Sequence, residues 1–431
     1  MEIFEILVLV VSFVVLLTIG VPIAYSIGIS AVITMLVSIY PVPAVTTIAQ
    51  RMATGLESFT LLAIPFFILA GQLMNRGGIA SRLIDFAKVM VGMLPGGLAF
   101  VNIVACMLFG AISGSAVAAA SAIGGFMNSR MEKEGYDKSF SAAVNITSST
   151  TGMIIPPSNI LIVYSLASGG ASIGALFLAG YLPGILVGLM LMVVAGVFAY
   201  RNKYPTSESA SISEGFRKML NALPSLFLLV VVIGGIVAGY FTATEASAIA
   251  VLYTFILALL YKEISFKDVP SILLDTVSTT SIVLLLIATS IGMSWVMSYE
   301  NIPQAVSEAL LSVSDNKIIV LLLINVILLI VGIFMDMTPA VLIFTPIFLP
   351  VVTELGVHPV HFGIIMVLNL SIGLCTPPVG SVLFVGCSVA NVKIEKVIKP
   401  LIPLFIAMIV ALILVTYIPE ISLWLPAIFD L

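Results

Sequence analysis

The chain is 431 residues long, 61% hydrophobic and only 9% charged, with a formal net charge of −4 and a mean hydropathy of +1.24. A soluble surface normally carries about 25% charged residues, so this composition excludes a soluble globular protein, and so small a negative balance carries no signal for nucleic acid as a partner. Long apolar runs such as 6–19 and 318–333 exclude the roughly ten-residue alternation of a membrane β-barrel and leave an all-α polytopic membrane protein, with the lipid bilayer as its surroundings.

In chain order, crossings are expected at 4–20, 22–38 and 59–75, then a polar amphipathic segment at 77–94. Glu2 and Glu5 with no early Lys or Arg are unlike a cleaved signal peptide, so the first helix is expected to stay. The apolar stretch 96–130 is interrupted by Gly110-Ala111-Ile112-Ser113-Gly114-Ser115. Each arm falls short of the roughly 20 residues needed to span a bilayer, which predicts a re-entrant helical hairpin. A broken transmembrane helix is predicted at 140–168 and a long helix at 172–200. The polar stretch from Arg201 to Lys218 divides the halves, giving a first repeat over 1–205, a cytoplasmic linker over 206–219 and a second repeat over 220–431. There the order recurs, with crossings at 222–240, 244–262 and 271–297 and a polar segment at 299–316. A hairpin at 317–353, a broken helix at 359–390 and a last helix at 400–418 follow. The chain reads as one unit used twice.

Gly-x-x-x-Pro-Pro occurs once in each broken helix, at 152–157 and 373–378, and each copy follows a glycine-bearing hairpin break. Gly110 precedes Gly152 by 42 residues and Gly332 precedes Gly373 by 41. Because backbone polar groups must be satisfied in lipid, paired breaks at corresponding places in two halves point to a binding site near the bilayer midplane. Charge tells how the halves are related. Arg76, Arg82 and Lys88 mark 76–94, whereas 299–316 carries Glu300, Glu308 and Asp315 and no base. Arg130, Lys133 and Lys138 stand at the base of the first hairpin, and 354–361 at the base of the second has no Lys or Arg. By the positive-inside rule the repeats are inverted in topology, the first hairpin entering from the cytoplasm and the second from outside, with both termini periplasmic. Arg51 and Lys317 are the charges that dissent.

At each break one half-helix ends in free carbonyls and the next begins with free N–H groups, so a small cation and an anion can be neighbours. Pro157 and Pro378 suit the first turn of the resuming half-helices, and Gly152 and Gly373 free the backbone to turn its carbonyls inward. Ser113, Thr151 and Thr376 add neutral oxygen ligands, which suits Na⁺. Asp336 sits in a hairpin tip at bilayer depth, where an ionisable group costs a few kcal/mol unless it has a partner, which points to function.

The blocks 62–67 (Leu-Ala-Ile-Pro-Phe-Phe), 75–79 (Asn-Arg-Gly-Gly-Ile), 110–118, 152–159, 242–246 (Thr-Ala-Thr-Glu-Ala) and 376–380 (Thr-Pro-Pro-Val-Gly) resemble the large membrane subunit of tripartite ATP-independent periplasmic (TRAP) transporters, and the resemblance covers essentially the whole chain. It implies sodium-coupled uptake of an organic acid across the bacterial inner membrane by an elevator mechanism, with a small four-helix membrane subunit and a periplasmic substrate-binding protein as partners. By motif, Gly110, Ser113, Gly152, Ile155 and Pro156 would form one Na⁺ site, largely through carbonyls, and Gly332, Gly373, Thr376 and Val379 the other. Ser115, Ser158 and Asp336 would lie near the substrate cavity. The likeness leans toward sialic-acid members, with no motif separating that sugar acid from dicarboxylates. All these ligands belong to the hairpins and broken helices, so these are expected to move together against a frame made of the other helices, with 77–94 and 299–316 as arms.

Other residues have plainer roles. Glu245 follows Thr242 and Thr244 at a helix start, where a carboxylate complements the dipole. His358 and His361 have ligand-like spacing without further donors near them, Trp295 and Trp424 suit membrane interfaces, and Ser121 and Thr147 to Thr150 suit helix packing. Cys106, Cys375 and Cys387 lack disulfide or metal spacing. An intramembrane serine protease would need a base beside Ser113 or Ser115, and the two histidines fall elsewhere, so no enzyme activity and no organic cofactor are expected. No Gly-x-x-x-x-Gly-Lys motif is present, so an ion gradient and not ATP is the expected driver. The nearest alternative is a stand-alone sodium/dicarboxylate-type symporter of similar inverted-repeat fold.

Overall fold

The computed structural model describes residues 2–94, 96–204, 212–377 and 379–431, and the regular structure among them is helical. The first half runs α1 (Glu2–Thr18), α2 (Ile23–Ser38), α3 (Pro41–Gly55), a 3-10 turn (Phe59–Leu62) leading into α4 (Ala63–Arg76), and α5 (Ile79–Val91). The hairpin α6 (Gly97–Ser113) and α7 (Ala116–Lys133) comes next, then a crossing split into α8 (Lys138–Ser149), a 3-10 turn (Thr150–Met153) and α9 (Asn159–Ala167), then α10 (Ile173–Arg201). The second half runs α11 (Ile212–Val237), α12 (Ala243–Leu260), α13 (Val269–Tyr299) and α14 (Ile302–Val313). Its hairpin is α15 (Lys317–Phe334) and α16 (Met337–Glu354), its split crossing α17 (Pro359–Gly373) and α18 (Ser381–Ala390), and α19 (Ile394–Tyr417) and α20 (Glu420–Ile428) end the chain. Among the described residues eight helices are long and apolar enough to cross a membrane.

Local chemistry sets the hairpin tips. Two residues reverse the chain in each. Gly114 takes φ +60°, which glycine adopts at no steric cost, and the Ser115 hydroxyl accepts from the Ala118 N–H (3.2 Å) to start α7. At the other tip an Asp336 carboxylate oxygen accepts from the Met337 N–H (2.7 Å). The arm α6 has 17 residues, about 26 Å of helix, so it stops within a hydrocarbon core about 30 Å thick.

Two helices escaped the sequence reading, α3 and α20. α3 opens on Pro41-Val42-Pro43, which looks like a loop yet suits a first turn whose N–H groups have no partner anyway, and α20 starts directly after Pro419. α11 begins at Ile212 and so takes up part of the expected linker 206–219 as helix; residues 206–211 lie outside the described residues.

The helices pack in two groups. α1 to α4 and α11 to α13 pack on one another, α6 to α10 and α15 to α20 form the second group, and α5 and α14 lie between them. This corrects the expectation that every helix outside the hairpins and broken crossings belongs to one frame, because α10 and α19 pack on the hairpin side. The reason is glycine on α10: a methyl on Gly180 would lie 2.2 Å from the Ile154 carbonyl oxygen, and one on Gly184 2.3 Å from Ile155 Cγ1. α10 thus seats directly on the first break.

The intermediate helices are tethered to the first group. From α5 the Arg82 guanidinium lies 3.6 Å over the Tyr261 ring at the end of α12, while Arg76, at the end of α4, pairs with Asp275 and donates to the Ser271 hydroxyl (3.0 Å) on α13, a tie within the first group. Lys218 approaches Asp85 at 4.0 Å, and near α14 the Ser38 hydroxyl donates to Glu300. These exposed pairs are each worth at most about 1 kcal/mol and serve as positioning contacts. Lys317, a dissenting charge in the sequence, donates to the Gly356 carbonyl (3.3 Å) and so ties the base of its own hairpin.

Candidate functional site

In both halves the hairpin and the broken crossing meet glycine to glycine. A methyl on Gly110 would lie 2.4 Å from the Gly152 Cα, and one on Gly152 2.2 Å from the Gly110 Cα. In the second half a methyl on Gly373 would lie 2.5 Å from the Gly332 carbonyl carbon, and one on Gly332 3.1 Å from the Gly373 Cα. Backbone therefore touches backbone at two equivalent points, and a side chain at Gly110, Gly152 or Gly373 would force the backbones apart. None of the four has a positive φ, which corrects the reason given above for Gly152 and Gly373: close approach, not backbone freedom, requires glycine here.

Oxygen groups cluster at these crossings. Ser113, at the end of α6, is buried and its hydroxyl has no hydrogen-bond partner among the described residues, a position that costs about 1–3 kcal/mol unless something else satisfies it. The Thr151 hydroxyl donates to the Ser148 carbonyl (2.6 Å) and Thr376 to the Ile372 carbonyl (2.8 Å); each keeps its oxygen lone pairs for a cation. Ile155 is buried with its side chain against α10, and Val379 turns its side chain outward, so either could serve a cation only through its carbonyl.

The prolines sit differently from expectation. α9 begins at Asn159 with Ser158 as its N-cap, so Pro157 precedes the helix instead of occupying its first turn. Pro378 lies outside the described residues, and the resuming helix there begins at Ser381.

Both hairpin tips open on one cavity of about 260 Å³. Ser113 and Ser115 come from the first tip and Asp336 and Thr338 from the second, facing Gln72 and Asn75 of α4 and Thr279 of α13 across the seam between the two packing groups. Ser158 does not line it: it is fully buried and its hydroxyl donates to the Met153 carbonyl (2.6 Å). Its neighbour Asn159 does line it, with a side-chain oxygen that has no partner among the described residues. Asn75 and Asn159 stand inside blocks that drew attention in the sequence, but nothing there set them above their neighbours. Gln72 and Thr279 drew no attention in the sequence, Gln72 lying outside the marked blocks and Thr279 being one of four consecutive hydroxyl residues, 278–281.

Buried asparagines also went unread. Asn145 of α8 donates to the Ala120 carbonyl on α7 (2.8 Å), and Asn369 of α17 donates to the Asn325 side chain on α15 (2.7 Å). One asparagine in each half thus ties a broken crossing to its hairpin. The broken crossings also grip one another, for Tyr164 of α9 donates to the Pro359 carbonyl (2.6 Å) and its ring fills the space over Gly363 of α17.

The remaining candidates have structural partners. Glu245 closes a capping box, accepting from the Thr242 N–H (2.8 Å) while the Thr242 hydroxyl accepts from the Glu245 N–H (3.2 Å). His358 caps α17, and buried His361 bonds the Ser422 hydroxyl and the Thr416 carbonyl. The hydroxyls of Thr147 to Thr150 all bond carbonyls one turn back in their own segment.

Residues 10–421 match the family described as the tripartite ATP-independent periplasmic transporter, DctM component. Among relatives, an uncharacterized protein, YgiK, of Salmonella typhimurium is 56% identical over 99% of this chain and 98% of its own length. The C4-dicarboxylate TRAP transporter large permease protein DctM of Rhodobacter capsulatus is 39% identical over 94% of this chain and 95% of its own. The sialic acid TRAP transporter large permease protein SiaM of Vibrio cholerae is 39% identical over 88% and 89%. Among solved structures, the YdaH transporter of Alcanivorax borkumensis matches with a TM-score of 0.66 at 12% identity, covering 86% of each chain, which is a likeness of fold. With two glycine-crossed hairpins around a shared cavity and a family match along nearly its full length, the chain belongs to the DctM family, the large membrane permease subunits of TRAP transporters.

Proposed function

We propose that this subunit carries an organic acid across the bacterial inner membrane in company with Na⁺, and that the group bearing the hairpins moves as an elevator against the group bearing α4 and α13. The observation that carries the proposal is the repeated glycine crossing. Each brings a hairpin break against a helix break with backbone touching backbone, and beside the first a buried serine hydroxyl has no partner among the described residues. Neutral oxygens from two breaks suit a small hard cation such as Na⁺. Asp336 and the polar cavity wall suit the polar solute.

Movement as a unit is supported by the packing. The cavity lies along the seam between the two groups, so sliding one past the other would carry the site from one face to the other. By charge asymmetry the α5 side is cytoplasmic and both termini are periplasmic. The substrate class is that of C4-dicarboxylates or sialic acid, the two named for relatives of equal identity, 39% each. A periplasmic binding protein and a small membrane subunit are the partners that membership in a tripartite family favours over the stand-alone symporter.

The test is uptake of radiolabelled succinate and of N-acetylneuraminate into proteoliposomes. Uptake should require both partners and an inward sodium gradient. Robust uptake by this chain alone would overturn the partner dependence. Transport that survives crosslinks between cysteines placed on α4 and α6 would overturn the elevator.

A further inference from the structure

Arg51, the other charge that contradicts the positive-inside pattern, lines a second cavity of about 450 Å³ on the same seam. On α13 the first cavity reaches Val283 and the second begins at Ser290; seven residues at 1.5 Å each separate them by about 10 Å along the helix. The second cavity therefore lies toward the base of the second hairpin, at the far ends of α9 and α13. The Arg51 guanidinium stands 5.8 Å from the centre of the Trp295 ring. Among the described residues it has no carboxylate within ion-pair distance.

Ser290, Ser294 and Ser298 present hydroxyls to this cavity every fourth residue along one face of α13, a polar strip about 12 Å long. Ser290 is 1% exposed and its hydroxyl has no partner among the described residues. An arginine beside an indole, with no counter-ion among the described residues and near a buried hydroxyl that also has no partner among them, is arranged to take a planar anion. The guanidinium fork matches a carboxylate, and the strip offers donors and acceptors to the rest of a small polar acid.

We infer that this cavity is a second carboxylate site, in which Arg51 holds the organic acid before it reaches the cavity between the hairpin tips. The inference rests on the transport reading above and extends it to a residue and a place of its own. Phospholipid phosphate shares the anionic chemistry. It is the occupant to be distinguished.

Trp295 provides the reporter, since it is one of only two tryptophans. In the full chain carrying Trp424→Phe, in phosphatidylcholine nanodiscs at constant ionic strength, succinate or N-acetylneuraminate should change Trp295 emission saturably, and neutral succinamide should not. Arg51→Gln should weaken the response at least tenfold, Arg51→Lys by less, and Ser290→Ala about two- to fivefold. Arg51→Lys keeps the cation, so a variant lost to misfolding does not leave the question open. A flat titration with both acids, an equal response in Arg51→Gln, or an equal response to succinamide overturns the inference. So does a response that appears only with phosphatidylglycerol in the disc, which would make the occupant a lipid. Uptake by the complete assembly separates the two readings: sodium-dependent uptake with the same KM in Arg51→Gln sinks the second site alone, whereas sodium-independent uptake sinks the coupling and leaves the fluorescence result standing.

Discussion

The two glycine crossings have the same plan and different chemistry. In the first, backbones approach until added methyls would sit 2.2 and 2.4 Å from the opposing Cα atoms, and the polar group beside them is the Ser113 hydroxyl, which has no partner among the described residues. In the second the approach is looser from the Gly332 side, 3.1 Å, and the Thr376 hydroxyl already donates to a carbonyl. Both breaks bond within themselves: in the second the Leu374 carbonyl accepts from the Val382 and Leu383 N–H groups (3.2 and 3.3 Å) and the Thr376 carbonyl from Gly380 (3.1 Å), and in the first the Thr151 carbonyl accepts from Ile154 and Ile155 (3.1 and 3.0 Å). Its hairpin tip carries the carboxylate, Asp336, where the first tip carries Ser115. A repeat fixes where the chain breaks; the side chains then decide how much each break depends on what it binds.

The largest effect should come from alanine at the tight crossing. Gly152→Ala and Gly110→Ala force backbone apart and should cost about 3 kcal/mol or more in thermal stability, abolishing uptake, while Gly332→Ala should be milder because its neighbour stands 3.1 Å off. Equal melting points for Gly152→Ala and Gly332→Ala would remove the asymmetry. Next comes the charge. Asp336→Asn should reduce uptake at least tenfold with little change in melting temperature, whereas Ser115→Ala loses a helix cap and should cost about 1 kcal/mol of stability with a smaller loss of transport. Similar transport defects in the two would mean that the tips are chemically equivalent.

Smaller still are the hydroxyl deletions. Ser113→Ala should raise the sodium concentration for half-maximal uptake about three- to tenfold, and Thr376→Val by less, since the Thr376 hydroxyl has a protein partner of its own. The smallest effect is expected at Ser158, which lies off the cavity: Ser158→Ala loses a buried hydrogen bond worth about 1 kcal/mol and should leave KM for the organic acid unchanged. A raised KM in Ser158→Ala would return that residue to the binding surface.

The hairpins and broken helices were legible because membrane physics makes them so: an apolar stretch too short to span, with glycine at its centre, has few other solutions. α6 and α7 fall within the expected 96–130 but for the last turn, and α17 and α18 together fill 359–390. What the sequence hid was pairing at a distance. Asn145 and Asn369 look like isolated polar residues until α7 and α15 supply their partners, and the glycines Gly180 and Gly184 show a purpose only once α10 is laid on the first break. Asn159, next to the expected Ser158, was hidden for a related reason. The Asn159 side chain, at the first position of α9, faces the cavity, while the Ser158 hydroxyl turns back to Met153. α3 and α20 were missed because a proline at a helix start resembles a proline in a loop.

The central claim is that the two crossings bind Na⁺, and binding itself tests it with no transport step in between. Equilibrium binding of radioactive sodium to the purified full chain in potassium buffer should saturate, weaken in Ser113→Ala, weaken less in Thr376→Val, and fall furthest in the double variant. Binding that is equally strong in the double variant and the unaltered chain, with both still folded, would contradict the assignment of the crossings as cation sites.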